Sequence, residues 1–287
     1  LASHFRLQQF WLTALLALVL MIVEEWRFGV GGMLLAGWLA WPIAPYWDTV
    51  PLEPAEGEFA EVKIALINVL VSNEEKMEVR GYLKGVDADV VVLLEVNDEW
   101  TRELKLFAES YPNSIVEARD DPMGIWVLSK LPTVGEEVQP ALRHEPGGLP
   151  SVLVDLDVGG VMPLRLLATH PLPPMGREMA AKRDAQLSWC VDMAVDAKRR
   201  PFVLVGDLNV TPFSPKFKRL VEVGGLADHR VGWGEGMTET WLPGDVMMGL
   251  SLDHLLTRGG IRVKEWAVGP NVGSDHRPVV VTLEVPL

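Results

Sequence analysis

Two long apolar runs open the chain, and a different rhythm follows them. Phe10 to Val23 carries no charge and, apart from Thr13, is strongly apolar; Phe28 to Trp47 is a second such run, containing glycines, Pro42 and Pro45. No polar face is visible in either run, so each reads as a helix with apolar surroundings on all sides. The polar turn Glu24-Glu25-Trp26-Arg27 separates them. Trp11, Trp26, Trp38, Trp41, Tyr46 and Trp47 add aromatics, several near the ends of the runs, where interfacial belts occur. As a helix the first run reaches about 21 Å, short of a hydrocarbon core of about 30 Å, whereas the second is long enough. The expectation is a membrane-anchoring segment over residues 1–47 that meets the bilayer through residues 10–47. It is either a helical hairpin or one spanning helix preceded by an interfacial one; a buried hairpin of a soluble protein is the alternative. A cleaved signal peptide fits less well, because there is no basic start and no small-x-small site after the first run. The chain begins with Leu1, so further sequence is expected upstream.

Pro45, Pro51 and Pro54, among the acids Asp48, Glu53, Glu56 and Glu58, make residues 48–61 a short, stiffened linker. This flank has no Lys or Arg before Lys63. That favours an extracytoplasmic position, outside a bacterial inner membrane, for everything downstream.

From Val62 short apolar strands alternate with helical segments, the pattern of an α/β domain spanning 62–287. Strands are expected at Val62–Val69, 90–94, Gly124–Leu128, Val152–Leu156, Leu164–Ala168, 202–207, 252–256, Ile261–Val268 and 279–285. Helices are expected at Val79–Val86, Trp100–Glu109, Arg177–Arg199 and Pro215–Val223, with a looser Gly-rich region up to Gly249. Phe202-Val203-Leu204-Val205 has no polar alternation, so it reads as a strand buried on both faces; Gly206 then lets the backbone turn and delivers Asp207 and Asn209 to the sheet rim. Taken alone, these two residues serve equally well as turn formers.

Composition narrows the function. With 287 residues, 48% of them hydrophobic, the chain can build one large domain and an appendage. A formal net charge of −13 argues against sequence-independent binding of duplex DNA, which relies on Lys and Arg, but not against a metal-dependent phosphoesterase. The single cysteine, Cys190, excludes an intrachain disulfide and a cysteine-rich zinc site; a small buried apolar role is expected for it.

Apolar strands in this chain repeatedly end in residues suited to phosphate or metal chemistry: Asn68, Glu95, His170, Asp207 with Asn209, Asp253, and Asp275 with His276. Each has a bland reading as a strand end, loop histidine or cap. Their recurrence along one α/β chain favours a shared site. Asn68, D-V-V-V-L-L-E over Asp89–Glu95, Thr169-His170, G-D-L-N over Gly206–Asn209, Leu252–His254, and S-D-H-R-P over Ser274–Pro278 resemble, in order, the endonuclease/exonuclease/phosphatase superfamily. The likeness covers Val62 to Leu287. The ordered set is specific, whereas G-D-x-N or S-D-H alone is not.

The resemblance implies an α/β fold, a four-layer α/β sandwich of two packed sheets flanked by helices, and hydrolysis of a phosphoester with Mg²⁺, or Mn²⁺ in its place. By the same resemblance Glu95 is the main metal carboxylate, Asn68 assists it, and Asp275 sits near the metal, in a second metal position if there is one; hard oxygen donors suit such cations. His276 is the general base or a phosphate-polarising imidazole oriented by Asp253, and Asp207 orients or deprotonates the attacking water. Asn209 and His170 donate hydrogen bonds to non-bridging oxygens. Two features depart from the family. No glutamate marks itself as partner of His170, and His254 stands where Tyr is frequent. Arg177, Arg183 and Arg277 read more readily as exposed arginines than as phosphate ligands, and Thr240-Trp241 lines the cleft or packs. The substrate expected is a phosphodiester of nucleic acid or of a phospholipid head group, with a small phosphorylated molecule attacked as a monoester the alternative. A non-catalytic membrane scaffold is the rival from another class. No protein partner is inferable.

Overall fold

The computed structural model describes residues 2–48, 57–134, 141–144, 149–231, 238–242, 244 and 249–287. Most of the expected linker, and much of the Gly-rich region before Gly249, lie outside the described residues.

Two sheets dominate the fold. The first contains β1 (Phe59–Asn68), β2 (Val90–Leu94), β3 (Asn113–Glu117), β4 (Ile125–Ser129), β10 (Arg262–Val268) and β11 (Val279–Pro286), in the order β10-β11-β1-β2-β4-β3. The second runs β5-β6-β7-β8-β9, from β5 (Ala141–His144), β6 (Pro150–Leu156), β7 (Leu164–Thr169), β8 (Phe202–Asp207) and β9 (Asp253–Arg258). Each sheet has one parallel pair, β1–β2 and β7–β8, in an otherwise antiparallel arrangement. Side-chain alternation explains the layering. Ile64 and Leu66 of β1 join Val203 and Val205 of β8 in the core between the sheets. Their neighbours Ala65 and Ile67 face outward, toward α3 (Lys76–Val86) and Trp100 of α4 (Asp98–Glu103). Phe202 and Leu204 face the other way, under α6 (Arg177–Asp196) and α7 (Pro215–Glu222). Strands covered on both faces must be apolar at every position, and the result is the α/β sandwich that the patterning and the resemblance imply. Cys190 is fully buried under this helical layer, as a small apolar residue.

Several elements differ from expectation, the unforeseen strand β5 among them. The helix expected at Trp100–Glu109 breaks at Leu104 into α4 and α5 (Lys105–Ala108). The edge strand β3 carries no apolar run, and its half-buried and exposed positions alternate. At the N-terminus the lengths of the two apolar helices are reversed. α1 (Arg6–Ile22) continues a 3-10 turn, and Ser3–Ile22 spans 20 residues, long and apolar enough to cross a membrane. α2 (Trp26–Ala40) stops after 15 residues, about 22 Å, because Pro42 and Pro45 cannot continue it.

The foot of this hairpin is docked onto the α/β domain. Ile43 and Tyr46 bury themselves with Phe213, flanked by Leu7 and Phe10. Thr211 N–H donates to His4 Nδ1 at 3.2 Å, Gln8 Nε2 donates to the Gly249 carbonyl at 2.9 Å, and Tyr46 Oη donates to Asp228 Oδ2 at 3.2 Å.

Candidate active site

β8 ends at a glycine for a steric reason. Gly206 has φ 155°, and a Cβ there would lie 1.8 Å from the Thr169 carbonyl oxygen of the adjacent strand. Asp207 follows, opposite Asp253 in the β8–β9 register. Asn209 then takes φ 50°, a left-handed conformation that Asn tolerates, and its N–H donates to Asp207 Oδ1 at 2.9 Å. Its side-chain amide donates to the Pro171 carbonyl at 2.9 Å, beside His170.

Four buried side chains form a row. His276 Nδ1 donates to Asp253 Oδ2 at 2.7 Å, and Asp207 Oδ2 lies 3.5 Å from Nε2 of both His276 and His170. Burial disfavours charge on each group, yet the alternation of signs outweighs it. Loss of hydration acts to lower the His276 pKa, but the Asp253 and Asp207 carboxylates raise it to about 10. His170 is raised in the same way against burial, by Asp207 first and then Glu95. Burial acts to raise Asp207, but His276 and His170 hold it below the usual carboxylate range. Asp207 and its two imidazole neighbours thus favour one another's charged forms against burial. The ligand atoms of Asp207, Asp253 and His276 also lie within 4.8 Å of one another, close enough to hold a metal ion.

A second set lies at the end of the first sheet. Glu95 leaves β2 with φ 62°, a strained conformation for a residue with a side chain. Its Oε1 accepts a hydrogen bond from Asn68 Nδ2 at 2.9 Å, and Oε2 accepts the Val71 N–H at 3.3 Å. Asp275 Oδ2 accepts from Trp241 Nε1 at 3.0 Å, and its Oδ1 is buried without a partner among the described residues. Ser274 ties the sets together. Its Oγ donates to the Asn68 carbonyl at 2.7 Å and accepts the His276 N–H at 3.0 Å. Glu95 contributes to the field at His170, and Asp275 to that at His276.

All eight residues singled out in the sequence thus converge on the facing ends of the two sheets. The partners of several supporting residues were not recognisable there. Trp241 and Ser274 hold Asp275 and His276, and Thr240 Oγ1 accepts the Leu252 and Asp253 N–H groups, each at 3.1 Å. Arg183, expected as an exposed helix-face residue, is buried and donates from Nη1 to the Asn209 carbonyl at 3.1 Å. Its partner comes from another layer, so helix periodicity gave no sign of it. Arg177 is exposed; Arg277 is half-buried, with Nε lacking a partner among the described residues. His254 is buried outside the row, accepting from Arg230 Nη2 at Nδ1 and donating from Nε2 to the Val210 carbonyl, both at 2.7 Å. His170 Nδ1 is buried without a partner among the described residues.

The sequence matches the Endonuclease/Exonuclease/phosphatase family over residues 65–276. Among solved structures, truncated TDP2 of Caenorhabditis elegans superposes with a TM-score of 0.63 at 19% identity, over 78% of this chain and 98% of that one. A single-residue variant of the 3′ phosphatase NExo from Neisseria, bound to a product DNA hairpin, gives 0.60 at 19% identity over 77% and 98%. Sphingomyelinase C from Streptomyces griseocarneus gives 0.55 at 21% identity over 77% and 99%. At these identities the likeness is one of fold. No curated protein matches the chain.

Proposed function

The chain belongs to the endonuclease/exonuclease/phosphatase family, and from that premise we propose that it is a membrane-anchored, divalent-metal-dependent phosphodiesterase. The observation that carries this reading is the buried row Asp253–His276–Asp207–His170 beside the Glu95–Asn68 pair. A scaffold has no need to bury alternating carboxylates and imidazoles at the rim of two sheets.

The donor set fits a hard cation. Glu95, Asn68 and the unpartnered Asp275 Oδ1 offer oxygen, which suits Mg²⁺ or Mn²⁺. The Asp207, Asp253 and His276 cluster, whose ligand atoms lie within 4.8 Å of one another, is the alternative place for it. A cation held by either set would supply positive charge to the phosphoryl oxygens.

The remaining roles follow from charge state. His276, held cationic by Asp253, is unsuited to accept a proton and instead stabilises negative charge developing on the phosphoryl group. Asp207, an anion fixed by the Asn209 N–H, takes the proton of the attacking water. Asn209 keeps one amide hydrogen free for a non-bridging oxygen, and His170 offers a further donor. The exposed apolar surface of α1 and α2 supports a catalytic domain held at a bilayer, and the acidic flank from Asp48 to Glu58 supports the extracytoplasmic side. Both features favour a phosphodiester carried by a phospholipid over a polynucleotide.

The full chain in detergent micelles, assayed with Mg²⁺ on phospholipids, nucleic acids, inositol phosphates and a soluble aryl phosphodiester, is expected to cleave the diesters and to stop in chelator. Asp207→Ala and His276→Gln are each expected to lower turnover by about a hundredfold or more. Inactivity of the wild type across the panel, or near-normal variants, overturns the reading.

A further inference from the structure

A cavity of about 500 Å³ lies where the hairpin foot meets the domain, lined by none of the residues of the Asp253–His276–Asp207–His170 row. Pro42, Pro45 and Tyr46 form one wall; Phe213, Phe217 and Val221 form the opposite one. The volume falls within the roughly 300–1,000 Å³ common for ligand sites. Its inner polar groups are already engaged with one another. Tyr46 Oη donates to Asp228, Asp228 accepts from Arg230, and His229 Nε2 is bonded to the Thr257 hydroxyl. With these side chains paired to one another and the rest of the lining mainly apolar, the interior suits a hydrocarbon better than a polar ligand. Lys218 and Glu222 are the charged residues at the exposed rim, four apart on α7, and they leave the mouth near neutral.

The surroundings indicate where such a hydrocarbon comes from. The wall built from Pro42 and Pro45 ends a hairpin whose outer surface exposes Leu12, Leu15, Val19, Leu34, Leu35 and Trp38. A hairpin with that surface sits in lipid, so its foot, and the cavity beside it, stand where acyl chains leave the bilayer core. We propose that this cavity binds one acyl chain of a membrane lipid. The inference rests on the membrane-anchored reading above and narrows its substrate class. A lipid tail held against Phe213 sits beside the 207–213 loop that carries Asp207 and Asn209, and thus keeps a lipid-borne phosphodiester near the site.

The test uses the full chain in phosphatidylglycerol–phosphatidylethanolamine vesicles doped with a phospholipid bearing a diazirine at the acyl terminus. After irradiation, label is expected on the peptides covering 212–231 as well as on α1 and α2. Val221→Trp fills the cavity from within, and Val231→Trp, at an exposed lining position, fills it from the mouth without disturbing the core. Each is expected to lower labelling of 212–231 by about tenfold, about 1.4 kcal/mol, with α1 and α2 labelled as before. Label confined to the hairpin, or unchanged by both substitutions, overturns the proposal. Hydrolysis of a soluble aryl phosphodiester with Mg²⁺, measured on the same samples, is expected to be unaffected by either substitution. If that activity is absent in the wild type the phosphoesterase reading fails while the labelling still decides the cavity; if it is present without label on 212–231, the cavity assignment fails alone.

Discussion

His254 shows how a buried residue next to a catalytic strand is committed to support. Its Nδ1 must accept from Arg230 and its Nε2 must donate to the Val210 carbonyl, so only the neutral ring satisfies both neighbours. Burial, and then the Arg230 charge, lower its pKa to about 3. The unfolded chain, with an ordinary histidine pKa near 6.5, binds a proton in the interval that the folded chain refuses. This contribution is present in full above about pH 6.5 and is lost as pH falls toward 3. Between pH 7.5 and 5 the wild type is expected to lose about 2 kcal/mol more stability than His254→Gln, which has no such proton to bind. Denaturant titrations of both proteins in the same detergent check this, and parallel losses would remove His254 from that role. Arg183 works by the same logic through charge and reach. It holds the Asn209 carbonyl from α6, across a separation of 26 residues. Arg183→Met, which keeps the apolar stem, is expected to lower turnover by about tenfold with KM little changed, because it loosens Asn209 without touching substrate. A normal kcat in steady-state assays would limit Arg183 to packing.

At the scale of elements, the docking of the hairpin foot has the largest consequence. The loop from Asp207 to Phe213 is held on one side by Arg183 and His254 and on the other by His4, Ile43 and Tyr46. Residues 4–46 are thus part of the support of the 207–213 loop. A fragment starting at Gly57 is expected to melt several degrees below the full chain, because Phe213 loses its cover and the Thr211 N–H and Asp228 lose partners. Tyr46→Phe in the full chain isolates one of these contacts, with an expected loss of about 1 kcal/mol. Calorimetry on the three proteins checks the order; equal transitions would make the foot a mere tether. Sequence pattern reveals β2, β8 and the Ile64–Ile67 stretch of β1, because strands covered on both faces are unbroken apolar runs. It misses β3, an edge strand whose half-buried and exposed positions alternate over a stretch too polar to mark itself. It also misjudges the two N-terminal helices, since counting apolar residues does not register that helix geometry continues through Arg6–Gln9 and stops ahead of Pro42.

Over the whole molecule, the site itself was legible because its main side chains lie at strand ends, where an apolar run stops at a carboxylate, amide or imidazole. Its supports were hidden, since Trp241 reaches Asp275 across 34 residues and Ser274 reaches the Asn68 carbonyl across 206. The overall charge was legible too, and it bears on which substrate the site meets. A net charge of −13 on 287 residues repels a polyanion at long range while leaving a small diester or a zwitterionic lipid nearly indifferent. Screening shortens that repulsion, with a Debye length of about 30 Å at 0.01 M salt and about 8 Å at 0.15 M. For most proteins that act on nucleic acid, added salt weakens association because Lys and Arg contacts release counterions. This chain is expected to behave in the opposite sense. At saturating Mg²⁺, kcat/KM on an oligonucleotide should rise severalfold between about 0.01 and 0.15 M monovalent salt, while kcat/KM on a soluble aryl phosphodiester stays level. A fall with salt on the oligonucleotide alone would point instead to a local cationic track that overrides the net charge, and would move the proposed substrate from lipid to nucleic acid.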